Sequence, residues 1–221
     1  MKTKKAIFYL LAGVLAGCVP VMSLHPLYDN QTLVFDEKLL GTFEADGVTW
    51  EFTRAKDPNA YELIYTAVSK DDPNILKGLF EVRLVNLDNR LFLDIFPKKG
   101  PWGDEEELNR TTWPLNAFLM IPVHTFAKVK ISESQLRIQL TDDEKFKEIV
   151  KSVPNAVKHE SVNGTPVLTG STPQLQSFVL KFADDDRLFP NENILTRKTS
   201  EPVQDANQTK TPGPDANELP V

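Results

Sequence analysis

Residues 41–53 read GTFEADGVTWEFT, in which apolar and polar side chains alternate on both sides of an Asp-Gly pair. Asp46-Gly47 favours a tight hairpin turn, because both residues tolerate the positive φ angles that such a turn requires. Period-two alternation places Trp50 and Phe52 on one face of a strand, with the polar residues between them on the other face. The stretch therefore predicts two antiparallel strands with one buried face.

The same alternation recurs along the chain at short intervals. Turn-forming pairs, Asp88-Asn89 and Asn163-Gly164, separate several of the alternating runs. The further predicted strands cover residues 61–68, 80–84, 91–96, 119–131, 136–140 and 167–169. Strands spaced in this way predict a mainly β domain, an antiparallel meander closed as a barrel of about eight or nine strands or packed as a sandwich.

Two short amphipathic helices are predicted beside these strands. The first spans about Asp143–Ser152, where apolar residues recur with helical spacing from Phe146 onwards. The second is expected to begin with Thr172 as its N-cap and Pro173 at its first helical position. Both apolar stripes are predicted to pack on the sheet.

The two ends of the chain differ in composition from this middle part. Residues 1–5 are basic and residues 6–16 are apolar, a run of signal-peptide length that is shorter than the roughly 20 residues of a membrane-spanning helix. Residues 198–221 are polar and proline-rich, and they are predicted to be disordered. The predicted organisation is a signal peptide (1–17), a tether (18–38), one domain (39–197) and a tail (198–221).

Leu15-Ala16-Gly17-Cys18 resembles the lipobox of bacterial lipoproteins. The resemblance implies cleavage after Gly17, attachment of a diacylglycerol to Cys18, and a membrane as the partner of those acyl chains. In that family an Asp after the cysteine often retains the protein on the inner membrane. Val19 stands at that position here, which implies an outer membrane and a domain facing the periplasm.

Charge and cysteine content restrict the functions further. The chain has a formal charge of −6, and removal of residues 1–17 would delete three lysines and leave about −9. A body this acidic argues against nucleic-acid binding. Cys18 is the only cysteine, so no disulfide is available within the chain and the core must supply the stability.

Two further resemblances concern the domain itself. Gly41-Thr42-Phe43 is similar to the Gly-x-Trp signature that opens lipocalin-type barrels, with Phe43 in place of the tryptophan. This resemblance implies a barrel that encloses a small apolar ligand. Five segments resemble a group of uncharacterised bacterial lipoproteins, which implies no activity: residues 23–28, 33–36, 39–42, 90–94 and 122–127.

Sequence signals of catalysis are scarce. The chain has no Gly-x-Ser-x-Gly elbow, no phosphate-binding glycine loop and no His-Glu-x-x-His motif. Its three histidines, His25, His124 and His159, do not have the spacing of metal ligands. We therefore predict no metal and no cofactor, and we expect a protein that is not an enzyme.

His124 is the most informative polar residue, since it lies in the apolar run 119–126. A buried imidazole needs hydrogen-bond partners. One hypothesis makes it a polar group in a binding cavity opposite Asp94, and the alternative is a structural histidine bonded to backbone carbonyls. Asp94 itself is expected to face outward if Leu93 and Ile95 face the core.

The connection between residues 97 and 116 is a second candidate site. It is longer than most loops in compact domains and combines Trp102 and Trp113 with the acidic run 104–107. Exposed tryptophans are frequent anchors of protein–protein interfaces. The alternative is that the two rings fold back onto the sheet and the acidic residues form a solvated turn.

The leading hypothesis is a lipid-anchored, non-catalytic binding domain for a small apolar ligand. Proposed ligand contacts are His124, Trp50, Phe92 and Phe126, and further aromatic residues that would line or fill the core are Phe52, Tyr65, Phe80 and Phe118. The first alternative is an envelope interaction module that binds a protein through residues 97–116. The second alternative is a hydrolase that uses His124 and Asp94.

Overall fold

The computed structural model describes residues 20–68, 75–98 and 121–199. Two helices and a 3₁₀ turn (Glu37–Leu39) accompany twelve strands in these ranges. The helices are α1 (Asp143–Ser152) and α2 (Thr172–Lys181). The strands are β1 (Met22–Ser23), β2 (Leu33–Val34), β3 (Gly41–Ala45), β4 (Val48–Arg54), β5 (Tyr61–Val68), β6 (Ile75–Leu87), β7 (Arg90–Pro97), β8 (His124–Ile131), β9 (Gln135–Leu140), β10 (His159–Val162), β11 (Thr165–Leu168) and β12 (Asn193–Arg197).

Eight of the strands form a closed antiparallel barrel. The strands β3 to β9 pair in sequence order, and β12 closes the ring by pairing with β9 on one side and β3 on the other. The mainly β prediction is confirmed, and of the two predicted closures the barrel is the correct one. His124 and Thr125, at the start of β8, pair with β1 instead of β9. The strands β1, β11 and β10 then form a ribbon that continues away from the barrel wall.

The opening hairpin forms as the sequence predicts. Asp46 and Gly47 both adopt positive φ, 44° and 80°, and they join β3 to β4. Residues that alternate inward from all eight strands fill the barrel, among them Phe43, Trp50, Phe52, Leu63, Leu84, Leu93, Val129 and Ile138. Burial of this apolar set is the main force that fixes the strand register, because a slip by one residue would turn it toward solvent.

A second apolar cluster lies outside the barrel wall. The stripes of both helices, with Phe146 and Phe178 at the centre, cover outward-facing residues of the wall such as Phe92 and Phe126. The predicted α1 is confirmed, and its N-cap Asp142 accepts a hydrogen bond from Lys145 N at 2.8 Å.

The predicted N-cap of α2 is wrong by one residue. Ser171 is the N-cap, and its backbone N–H donates to Gln174 Oε1 at 2.9 Å, so the helix starts at Thr172. The Thr172 hydroxyl instead donates to the Pro26 carbonyl at 2.8 Å, which fastens the N-terminal segment to the helix.

Residues 21–38 are not the tether that the sequence predicts. Val21 and Leu27 are both 0% exposed in the outer cluster, and β1 is hydrogen-bonded on both edges. Pro20 and Pro26 flank β1 without preventing its pairing. The folded domain therefore includes the chain from about Val21.

One end of the barrel is closed by side chains, and we call it the sealed end. Leu39 of the 3₁₀ turn is buried there, Phe35 stacks on Tyr61 at 4.5 Å, and the Tyr61 hydroxyl donates to the Asp36 carbonyl at 3.1 Å. The Arg197 guanidinium lies 4.4 Å above the Phe43 ring and donates to the carbonyls of Lys38, Leu40 and Glu133. We call the opposite end, which carries the β3–β4 turn, the loop end.

Candidate functional site

The loop end of the barrel interior is lined by aromatic side chains. Trp50 and Tyr65 are direct cross-strand partners on β4 and β5, and their rings meet edge to face at 5.7 Å. Gly78, on β6, pairs with Tyr65 of β5. It leaves room for the ring of Phe80, since a Cβ at Gly78 would lie 2.6 Å from Phe80 Cε2. The absence of a side chain at Gly78 thus sets the position of an aromatic ring in the wall.

Exposure varies along the barrel lining. Phe43 and Tyr61 are 0% exposed, and Val48, beside the β3–β4 turn, is 7% exposed. Tyr65 and Phe80 are half-buried. Two aromatic rings of the lining therefore reach the surface.

The polar group among these rings is held uncharged. Burial raises the pKa of the Tyr65 hydroxyl to about 12, so it is neutral at physiological pH. A neutral hydroxyl among aromatic rings is typical of pockets for largely apolar ligands, in which few polar groups fix the orientation. This arrangement is compatible with a ligand of that kind.

Of the four predicted ligand contacts, only Trp50 lies in the barrel interior. Phe92 and Phe126 belong to the outer cluster beneath the helices and are almost fully buried there. Their prediction as lining residues of the barrel is wrong because Leu93, Ile95 and Ala127 take the inward positions on the same strands. Alternation along β7 and β8 then turns both phenylalanines outward.

His124, the fourth predicted contact, lies on the outer face of β8. Its Nδ1 atom is 2.7 Å from Asp94 Oδ1, so the predicted pairing of these two residues is present. Asp94 does point away from the barrel interior, yet it is only 1% exposed because the N-terminal segment covers it. Its second oxygen, Oδ2, accepts a hydrogen bond from Leu27 N at 2.7 Å.

The geometry of this pair favours a structural role. The hydrogen-bond partner of His124 is a carboxylate, whereas the structural alternative predicted backbone carbonyls. The ring of Phe96 lies 4.5 Å from the imidazole. Ser23, opposite His124 in the register of β1 and β8, donates its hydroxyl to the His25 carbonyl at 2.7 Å. The Asp94–His124 pair thus fastens the N-terminal segment to the barrel wall.

Sequence reasoning missed a groove between α2 and the chain that follows α1. Its volume is about 610 Å³, its floor includes Val157 and Phe178, and Lys158 and Lys181 lie at its rim. The lining residues come from two segments that are separate in the chain, so no local pattern marks them. The helical stripe of α2 was the only sequence signal near it.

Several predicted site residues lie outside the described ranges. These are Gly17 and Cys18 of the lipobox, Phe118, and Trp102 and Trp113 of the connection 97–116. Their predicted roles in lipidation, ligand binding and partner binding stay predictions.

Neither a metal-binding cluster nor a membrane-spanning helix occurs within residues 20–68, 75–98 and 121–199. These ranges contain no group of three or more His, Cys, Asp or Glu side chains placed to hold a metal ion. In the same ranges, no helix has the length and apolar character needed to cross a bilayer.

Comparison with known proteins gives no relative: no family model, no curated protein and no solved structure matches the chain.

Proposed function

We propose that this protein is a lipid-anchored binding protein that takes a small apolar ligand into the loop end of its barrel. The lipobox Leu15–Cys18 supports an anchor in the outer membrane with the domain in the periplasm. The proposal assigns no catalytic step. The lining supports a ligand that is mostly apolar, with at most a few hydrogen-bonding groups.

The observation that carries this proposal is the aromatic lining at the loop end. Trp50, Tyr65 and Phe80 lie on three consecutive strands, and their exposure exceeds that of the lining at the sealed end. Eight-stranded barrels have an interior that side chains can fill or that can hold one small ligand. Half-buried aromatic rings within an otherwise buried lining support the second case.

The test is native mass spectrometry of a chain that begins at Val19 and is secreted to the periplasm of a bacterial host. Starting at Val19 retains β1 and Leu27, which a chain cut at the predicted domain start, residue 39, would lose. We expect an additional mass that disappears on denaturation. Bound cargo is then extracted and identified, and cis-parinaric acid serves as a fluorescent probe of the emptied barrel.

Two pairs of variants locate the binding. Tyr65→Leu and Phe80→Leu alter the lining, and each should weaken cis-parinaric acid binding by roughly 5- to 10-fold, since lost aromatic contacts of this kind cost about 1–1.5 kcal/mol. Phe92→Leu and Phe189→Leu alter the outer cluster and serve as matched controls with unchanged affinity. Equal losses in both pairs would place the probe outside the barrel.

A hydrolase is the second candidate, and the Asp94–His124 distance of 2.7 Å is the observation that favours it. A carboxylate bonded to Nδ1 is the arrangement that orients a general-base histidine. The His124→Gln variant tests this function against a panel of chromogenic esters. Activity that the wild-type chain shows and the variant retains in full would eliminate it.

A further inference from the structure

The link between the proposed lipid anchor and the folded domain is very short. Val19 is the only residue between Cys18 and Pro20, and Val21 N already donates to the Thr141 hydroxyl at 3.0 Å. At about 3.5 Å per residue, Cys18 lies within roughly 14 Å of Met22. A domain held at this distance has little freedom to turn away from the bilayer.

The strand nearest the anchor belongs to the ribbon of β1, β11 and β10. β1 and β11 run parallel, with Met22 opposite Val167 and Ser23 opposite Leu168. β10 and β11 form a hairpin with its turn at Asn163-Gly164, just before β11 begins. Since β1 and β11 run parallel, the chain enters β1 from this same end of the ribbon. The hairpin turn and the anchor therefore lie toward the same end of the ribbon.

The two faces of this ribbon have different surroundings. Ser23, Leu168 and His159 share the inner face, where Leu168 joins the outer cluster and the His159 ring contacts Phe146 at 5.6 Å. The register places a second set on the opposite side, which we call the ribbon face. The register assigns Met22, Val162, Thr165, Val167 and Glu160 to it, and alternation from Met22 adds Leu24, the residue after β1.

The ribbon face is apolar and accessible to solvent. Leu24 is 43% exposed and Val162 is 56% exposed, and both are among the most exposed large apolar side chains of the described ranges. Met22 and Val167 between them are half-buried. Within the three strands Glu160 is the only acidic side chain, and it lies on the edge strand β10.

We propose that the ribbon face lies against the lipid surface and holds the domain in one orientation on the membrane. This inference depends on the proposed lipid anchor. Acyl chains at Cys18 bring the bilayer next to β1, and the exposed Leu24 and Val162 then contact the interface between headgroups and acyl chains. On a loose tether the ribbon face would be exposed to water, whereas in the proposed orientation lipid covers it.

The test uses the full chain, matured and lipidated in a bacterial host and returned to vesicles of phosphatidylethanolamine and phosphatidylglycerol. Because lipidation consumes the thiol of Cys18, Val162→Cys introduces the single free thiol, which receives an environment-sensitive fluorophore. Leu24→Cys is a second reporter on another strand of the same face. Thr53→Cys is the control, since Thr53 is exposed on β4, which lies across the barrel ring from β8.

Nitroxide lipids in the vesicles quench fluorophores that lie at the interface. Interfacial groups sit about 5–10 Å into the headgroup region, so we expect quenching at Val162 and Leu24 to exceed that at Thr53 by at least roughly threefold. Lipidated protein with equal quenching at all three sites overturns the inference and leaves the anchor intact. Mature protein whose intact mass lacks the acyl chains, with a reactive Cys18 thiol, overturns the anchor and the inference together.

Discussion

Asp94 shows how one buried side chain can connect distant parts of this chain. Its two oxygens bind Leu27 N and His124 Nδ1. Leu27 lies 67 positions before Asp94 in the sequence and His124 lies 30 positions after it, so distant segments meet at a single carboxylate. Within the described residues, no buried side-chain nitrogen or oxygen lacks a hydrogen-bond partner. Removal of this acceptor would leave a buried backbone N–H unpaired, which is more costly than the loss of an average hydrogen bond.

Asp94→Ala is therefore expected to lower the free energy of unfolding by about 3 kcal/mol, at the upper end of the cost of leaving a buried donor without its acceptor. Urea unfolding followed by circular dichroism measures the change. Glu51→Ala, at an exposed position of β4, is the control and should stay within about 0.5 kcal/mol of wild type. A loss of similar size in both variants would contradict the role assigned to Asp94.

At the scale of elements, the N-terminal segment is as much a part of the domain as any barrel strand. Val21 and Leu27 complete the outer cluster, and β1 carries hydrogen bonds on both edges. Leu24 and Leu27 form a natural pair for comparison, since the first is 43% exposed and the second is 0% exposed.

Leu27→Ala should lower the free energy of unfolding by about 2–5 kcal/mol, because it removes a fully buried side chain and leaves a cavity. Leu24→Ala changes the same residue type three positions earlier and should cost no more than about 0.5 kcal/mol in the absence of lipid. Both values come from urea unfolding of the chain that begins at Val19. Equal effects would mean that the N-terminal segment does not pack as described.

Sequence reasoning located the elements whose signals are local. The hairpins at Asp46-Gly47 and Asn163-Gly164 carry their own turn residues, and α1 carries its own cap and stripe. It missed β1, β2 and β12, which are two to five residues long and owe their pairing to distant strands. β12 is the eighth strand of the barrel, so the predicted meander lacked its closing member.

The candidate site was only partly predictable for a related reason. Alternation identifies which residues share a face, and Trp50, Tyr65 and Phe80 were all named as residues that line or fill the core. When both faces of a strand are apolar, alternation does not indicate which face lies inside the barrel. Phe92 and Leu93 illustrate this ambiguity, since both are 0% exposed and they belong to different clusters.

At the scale of the whole molecule, the barrel wall separates two apolar regions with different roles. The outer cluster joins the helices, the N-terminal segment and the outward residues of the wall. The inner cluster fills the barrel, and the rings of Tyr65 and Phe80 that pack against it are half-buried. Ligand binding at the loop end therefore need not disturb the packing that holds the helices.

The ionisation of the tyrosines is a measure of burial in both apolar regions. A chain that begins at Val19 contains three tyrosines, Tyr28, Tyr61 and Tyr65, and burial raises the pKa of each. The pKa rises to about 12 for Tyr61 and for Tyr65, whereas for Tyr28 the nearby Arg83 guanidinium opposes the rise. In the unfolded chain all three should ionise near pH 10.

The sign of the pH dependence follows from these shifts. A tyrosine whose pKa is higher in the folded state contributes a stability that is fully present below pH 10 and is lost as the pH rises through about 12. We therefore expect tyrosinate absorbance to appear above pH 10, together with loss of the near-ultraviolet circular dichroism. Tyr65→Phe should move the alkaline unfolding midpoint to higher pH, because it removes one group whose ionisation opposes the folded state. Tyrosinate absorbance near pH 10 from all three residues, with the native spectrum retained, would show that the barrel interior is open to water.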